Sequence, residues 1–233
     1  AAAIGFRADN LDNSFYGAID EPAVYNRALS AEEVQSIYDA GAAGKINPRC
    51  VTAPTNLVGW WAGDGHPYDL ARTNTGTLVN NATYQAAVVS EGFSFNGTGG
   101  HVRVPDQASF HCTTGLTIEA WVHPTNVTAQ NEIVDKWDAV VGFNQRSYAA
   151  ALLPGGRFFL QLAPLGTTAG ATYVATTNAV ALNGWTHLAG TYDGSQIRVY
   201  LNGVLNAQGT YTSGIFPGTN DLAIGGVVGG AAW

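Results

Sequence analysis

Leu116-Thr-Ile-Glu-Ala-Trp-Val122 alternates without a break: Leu116, Ile118, Ala120 and Val122 share one face, and Thr117, Glu119 and Trp121 share the other. A period of two marks a strand with one side in a core. Working outward, Leu57-Val-Gly-Trp-Trp61, Gly76-Thr-Leu-Val79, Phe158-Phe-Leu-Gln-Leu162, Trp185-Thr-His-Leu-Ala189 and Ile197-Arg-Val-Tyr-Leu201 also read as strands. The last runs into Asn202-Gly203, a strong hairpin signal. Phe93-Ser-Phe95 and His101-Val-Arg-Val104 flank the Gly-rich Asn96-Gly-Thr-Gly-Gly100, which reads as a second hairpin. A dozen or so short strands predict an all-β, antiparallel two-sheet sandwich.

One helix is expected, near the N-terminus. Ser30-Ala-Glu-Glu33 is a capping box, Val34, Ile37 and Tyr38 give i, i+3, i+4 apolar spacing, and Gly41 is a natural stop. The helix is therefore placed at Ala31–Ala40. Residues 44–54, Gly-Lys-Ile-Asn-Pro-Arg-Cys-Val-Thr-Ala-Pro, have the composition of a linker. Residues 1–43 thus finish one domain, and residues 55–233 form the body of another. Asp221-Leu-Ala-Ile-Gly-Gly226 also echoes Ala1-Ala-Ala-Ile-Gly-Phe6 at an offset of 220 residues. The echo suggests one period of a tandem array.

The bulk numbers narrow the class. At 233 residues and 46% hydrophobic content there is enough material for a sizeable core. Charged residues are 12%, about half the usual share, while glycine is high at 29 residues. This suits a turn-rich extracellular β domain and disfavours a helical bundle. A net charge of −7 argues against nucleic acid and suits calcium or neutral glycans better. No run approaches the roughly 18 apolar residues that span a membrane. Without methionine or a signal peptide, the chain reads as a mature or excised segment of a secreted protein.

Leu57-Val-Gly-Trp-Trp-Ala-Gly-Asp-Gly65 with Asp69, Gly76-Thr-Leu78, Phe93-Ser-Phe-Asn-Gly97, Leu116–Val122, Trp185-Thr-His-Leu-Ala-Gly-Thr-Tyr-Asp-Gly194 and Val199-Tyr-Leu-Asn-Gly203 form a specific combination. Together they resemble the laminin-G-like branch of the concanavalin A-like lectin/glucanase superfamily. In that family a Gly-x-Ile-Asp-Glu strand and an Ala-Leu-Ser helix cap come last. Gly17-Ala-Ile-Asp-Glu21 and Ala28-Leu-Ser30 stand at the front of this chain, so the order is permuted. The resemblance implies a jelly-roll sandwich, secretion, tandem arrangement and often a bound calcium ion. The body alone would expose an unpaired edge. Residues 1–43 are the missing piece in kind, for the same chain or for a neighbouring copy.

Asp20, Asp64 and Asp69 are the carboxylates to group, because calcium takes about six to eight oxygen ligands. The resemblance puts the ion where the first loop meets the final strand, which favours Asp69 and Asp20. Asp64 in its Gly-Asp-Gly turn has a purely local alternative, and Asp20 has one in pairing with Arg27. Aromatic faces stack on sugars: Trp137, with nearby Tyr148, is the expected exposed platform, whereas Trp60, Trp121 and Trp185 lie in strand patterns and read as packing. Cys50 and Cys112, the only cysteines, permit one disulfide, the alternative being two free thiols. Histidine and cysteine spacing shows no zinc pattern. Asn81-Ala-Thr83, Asn96-Gly-Thr98 and Asn126-Val-Thr128 match the N-glycosylation pattern.

Catalysis is not expected. A retaining glycoside hydrolase needs two carboxylates about 5–5.5 Å apart, and the strand Thr117–His123 carries a single one, Glu119. The sequence thus points to a non-catalytic, calcium-stabilised, secreted lectin-like module of a tandem-repeat surface protein, used for adhesion or glycan binding. The alternative is a structural subunit of an extracellular filament in which residues 1–43 complete the next copy.

Overall fold

The computed structural model describes residues 15–43, 53–138 and 144–226. Cys50 lies outside them. All strand pairings are antiparallel and form two sheets. The eight-stranded sheet runs β14 (Val204–Thr210), β13 (Gln196–Leu201), β12 (Thr186–Tyr192), β7 (Leu116–Pro124), β1 (Tyr16–Tyr25), β5 (Glu91–Asn96) and β4 (Thr83–Ala86), with β2 (Leu57–Trp60) also pairing with β1. The seven-stranded sheet runs β11 (Thr172–Ala179), β10 (Arg157–Gly166), β9 (Gln145–Leu152), β8 (Asn131–Asp138), β15 (Leu222–Ile224), β6 (His101–Val104) and β3 (Thr77–Val79).

Between the sheets lies one apolar core. Leu116, Ile118, Ala120 and Val122 of β7 all enter it, as the alternation requires, opposite Tyr148, Ala150, Leu152, Leu160 and Leu162. The Asn202-Gly203 hairpin forms, with Leu201 facing Val204. Asn96–Gly100 is not a hairpin: β5 pairs with β1 and β4 in one sheet, and β6 pairs with β3 and β15 in the other. The physical reason is that Phe93, Phe95, Val102 and Val104 must all reach the same core. The glycine-rich turn therefore carries the chain across the sandwich.

β1 is first in sequence yet lies inside its sheet, between β5 and β7 of the same chain. Gly17 is required there: at φ +147°, a Cβ would sit 2.0 Å from the His123 carbonyl oxygen. At Glu21-Pro22 the register shifts, because proline has no N–H for the ladder. Residues 16–19 pair with β5 and residues 23–25 with β2, so the bulge hands one edge of β1 from one partner to another.

The helix α1 (Ala31–Ala40) forms at the expected bounds. Ser30 Oγ accepts from the Glu33 amide and the Glu33 carboxylate accepts from the Ser30 amide, at 3.2 and 2.9 Å. Arg27 pairs with Glu33 at 2.6 Å, so the expected Asp20–Arg27 alternative gives way to a pair that braces the cap. Leu29, Val34 and Ile37 pack on Tyr25, Trp60, Ala189 and Tyr200, covering the outer face of the eight-stranded sheet. Under that cover Glu119 meets His187 at 3.1 Å, and Tyr38 stacks on Trp121. The opposite outer face, on the seven-stranded sheet, has a different character.

Candidate functional site

β8 shapes that second face through two register shifts, one between Glu132 and Val134 and one between Lys136 and Trp137. The first sends Ile133 and Val134 both into the core and leaves Glu132 and Asp135 on the outer side. Lys136 points inward and is fully buried. Its ammonium donates to Asp106 at 2.6 Å and to the Asn220 carbonyl, and burial lowers its pKa below the ordinary lysine value. With Lys136 anchored inside, Trp137 goes outward.

A notch of about 20 Å³ opens on this outer side, lined by Gln130, Glu132, Asp135, Trp137, Ala149 and Gln161. That volume seats one hydroxyl-sized group, not a whole ring. Strand register explains the lining. Ala223, Asp135, Ala149, Gln161 and Tyr173 stand in one row across five strands. Glu132, Ala151, Phe159 and Ala175 form another. Alanines on β9 set a low floor between carboxylates on β8 and the carboxamide on β10. Gln130 donates to Glu132 at 2.6 Å, which orients that carboxylate. At the β11 side Phe159 and Tyr173 have ring centroids 5.5 Å apart, and Tyr173 is half exposed.

The aromatic pair expected from sequence is divided by the sheet. Trp137 forms the notch wall but is only 8% exposed, packed with Ala149 and Ala163, so it offers little surface for a sugar to stack on. Tyr148 is wholly buried and its hydroxyl donates to the Phe110 carbonyl at 3.1 Å. It is a core residue, and burial pushes its pKa well up. Sequence reasoning missed Gln161 and the alanine floor. The signal was available in the alternation of Phe158–Leu162, which leaves Gln161 facing out.

The three aspartates do not converge. Asp69 is almost saturated by nitrogen donors: Oδ1 accepts from the Trp60 and Ala71 amides, each at 2.9 Å, and Oδ2 from Asn74 Nδ2 at 2.7 Å. A cation does not fit among those N–H groups. Asp20 and Asp64 both hold the turn before β5, accepting from the Val89 and Glu91 amides at 2.9 and 3.1 Å. Among the described residues no group of three or more His, Cys, Asp or Glu could hold a metal ion. Cys112 is a buried thiol, and Cys50, its expected bridge partner, lies outside the described residues. Burial pushes that thiol up to about 12.

A family model for the concanavalin A-like lectin/glucanases superfamily matches residues 96–233, more than half of the chain. The chain belongs to that superfamily. None of the curated proteins compared with it matches. Among solved structures, domain 4 of AbnA, a GH43 extracellular arabinanase from Geobacillus stearothermophilus solved with arabinotriose, is similar at 19% identity and a TM-score of 0.53, over 72% of this chain and 80% of that one. The binding domain of Paraclostridial Mosquitocidal Protein 1 is 15% identical at a TM-score of 0.53, over 70% of this chain and 42% of that one. The binding domain of Botulinum Neurotoxin DC in complex with SialylT is 12% identical at 0.51, over 69% and 40%. At such identities the likeness establishes the fold alone.

Proposed function

We propose that this chain is a non-catalytic carbohydrate-binding module of an extracellular or cell-surface protein. A saccharide lies across the outer face of the seven-stranded sheet and seats one hydroxyl in the notch beside Trp137. The observation that carries the reading is the row Asp135–Ala149–Gln161, which sets a carboxylate and a carboxamide on either side of a small floor. Sugar hydroxyls both donate and accept, and such paired groups answer them. Two of the similar folds were solved with sugar ligands of their own, which agrees with the reading. A non-catalytic role is supported by Glu119: it is 1% exposed, beneath α1 and against His187, out of reach of a glycosidic bond.

Affinity electrophoresis of the full chain through soluble polysaccharides tests this. Retardation that Gln161→Ala weakens about tenfold, the worth of one good polar contact, is the expected result. Retardation equal in both proteins would remove the notch from the account.

A second reading has one observation in its favour. β1 fills an interior place in its sheet while joined to the body only through the segment before β2, so the same segment of a neighbouring copy has the right form to fill it. A filament of tandem copies built this way would show a regular repeat in negative-stain electron microscopy. Structural calcium is a third, smaller proposal, centred on Asp20 and the 87–91 turn that Asp20 and Asp64 both hold.

A further inference from the structure

The loop between β2 and β3 is bound down more firmly than a plain connection requires. Leu70 N–H donates to the Trp60 carbonyl at 2.7 Å and Gly76 N–H to the Pro67 carbonyl at 2.8 Å. Trp61 Nε1 donates to the Asn74 carbonyl at 3.0 Å. Asp69 collects its amides from inside the loop and from β2, and Asp64 ties the loop to Glu91 at the start of β5. On this rigid base stands an exposed aromatic ring. Tyr68 is 55% exposed and stacks on His66 with centroids 4.4 Å apart and an interplanar angle of 20°. The imidazole stacks on the phenol, and more than half of the tyrosine stays open to solvent.

Two further features surround the ring. Tyr84 on β4 is close enough to Tyr68 and Glu91 that both add to the effect of burial in raising its pKa. Glu91 is exposed and its Oε2 lies beside Gly65. Arg72, the cation of the loop, turns away to the Leu57 carbonyl at 3.4 Å. An exposed aromatic ring on a rigid loop, with carboxylates on that loop and on the adjoining strand, suits a pyranose, whose C–H groups can lie on the phenol while hydroxyls donate to acids. Tyrosine gives that area at low entropic cost. The acids and the net charge of −7 oppose an anionic sugar.

We propose that Tyr68, backed by His66 on the loop that Asp64 ties to Glu91, is a saccharide contact for neutral sugars, separate from the notch on β8–β10. It goes beyond the function proposed above, since it gives the module a second contact on a different set of elements.

The test is affinity electrophoresis of the full chain through three neutral polysaccharides (arabinan, mixed-linkage glucan and glucomannan) and acidic polygalacturonate. The expected result is retardation by at least one neutral polymer and none by polygalacturonate. Tyr68→Ala is expected to weaken it about tenfold while Tyr68→Phe preserves it. Because Tyr68 is largely exposed, an unchanged circular-dichroism melt checks that each variant folds. Retardation that Tyr68→Ala leaves intact while Gln161→Ala weakens it overturns this contact and keeps the notch. Loss in Tyr68→Ala with Gln161→Ala unaffected does the reverse. No retardation by any neutral polymer, or retardation by polygalacturonate alone, overturns the proposal.

Discussion

Replacing Asp69 by alanine separates a structural carboxylate from a calcium ligand. Three short hydrogen bonds end on this side chain, two from backbone amides and one from Asn74 Nδ2, and the residue is 7% exposed. Each bond to a charged acceptor contributes about 1.5–3 kcal/mol, and a buried donor left unpaired is costly in its own right. Allowing for partial relaxation of the loop, Asp69→Ala should cost about 3–5 kcal/mol. In a domain of this size that corresponds to a fall in Tm of roughly 6–20 °C. Asp69→Asn keeps one acceptor oxygen and turns the other into a donor facing donors, so it should lose about half as much. Thermal melts with calcium and with EDTA are the assay. The loss should be the same in both buffers. A loss seen only with calcium present, or one below about 1 kcal/mol, would refute the assignment of Asp69 to the protein's own amides.

Other consequences are as direct. If calcium is held at Asp20, EDTA lowers the Tm of the native protein and Asp20→Asn removes that response; identical melts with and without chelator end the calcium proposal. The Cys112 thiol, held up to about 12 by burial, keeps its proton in the folded state while the unfolded thiol ionises near 9. Its contribution is therefore complete below pH 9 and lost as pH rises toward 12, so Cys112→Ala should flatten the first part of the alkaline decline in urea stability. The same thiol should react with a thiol reagent only on unfolding, and fast labelling assigned to Cys112 by peptide mapping of the native protein would contradict its burial. Trp137→Ala should cost about 3–5 kcal/mol because its ring packs on Ala149 and Ala163; a variant as stable as the parent would mean the ring is exposed after all.

Local chemistry was legible in the sequence wherever one element decided the outcome. The Ser30–Glu33 box set the start of α1, the alternation of Leu116–Val122 set the core face of β7, and Asn202-Gly203 set a hairpin. Each depends on neighbours within a few residues. Choices between partners far apart in the chain were less visible. The Asn96–Gly100 turn has the composition of a hairpin, yet which sheet each flanking strand joins depends on β1, β3 and β15. Trp137 follows the same logic. A Trp in Asp135-Lys-Trp-Asp138 looks exposed among charges, but Lys136 is the residue drawn inside by Asp106, and alanines on β9 and β10 receive the indole. Tyr148 next to it in space faces the other way because strand neighbours alternate. The notch itself comes from register across β8, β9 and β10, which no local pattern encodes.

Saccharide binding on the outer face of the seven-stranded sheet is open to observation residue by residue. Nuclear magnetic resonance of the isotope-labelled full chain, titrated with an oligosaccharide cut from a polymer that retards it, tests this most directly. Saturable amide shifts are expected, clustered at Asp135, Ala149 and Gln161 across three neighbouring strands. Shifts absent from those strands, at sugar concentrations that saturate binding elsewhere, would contradict binding on that face.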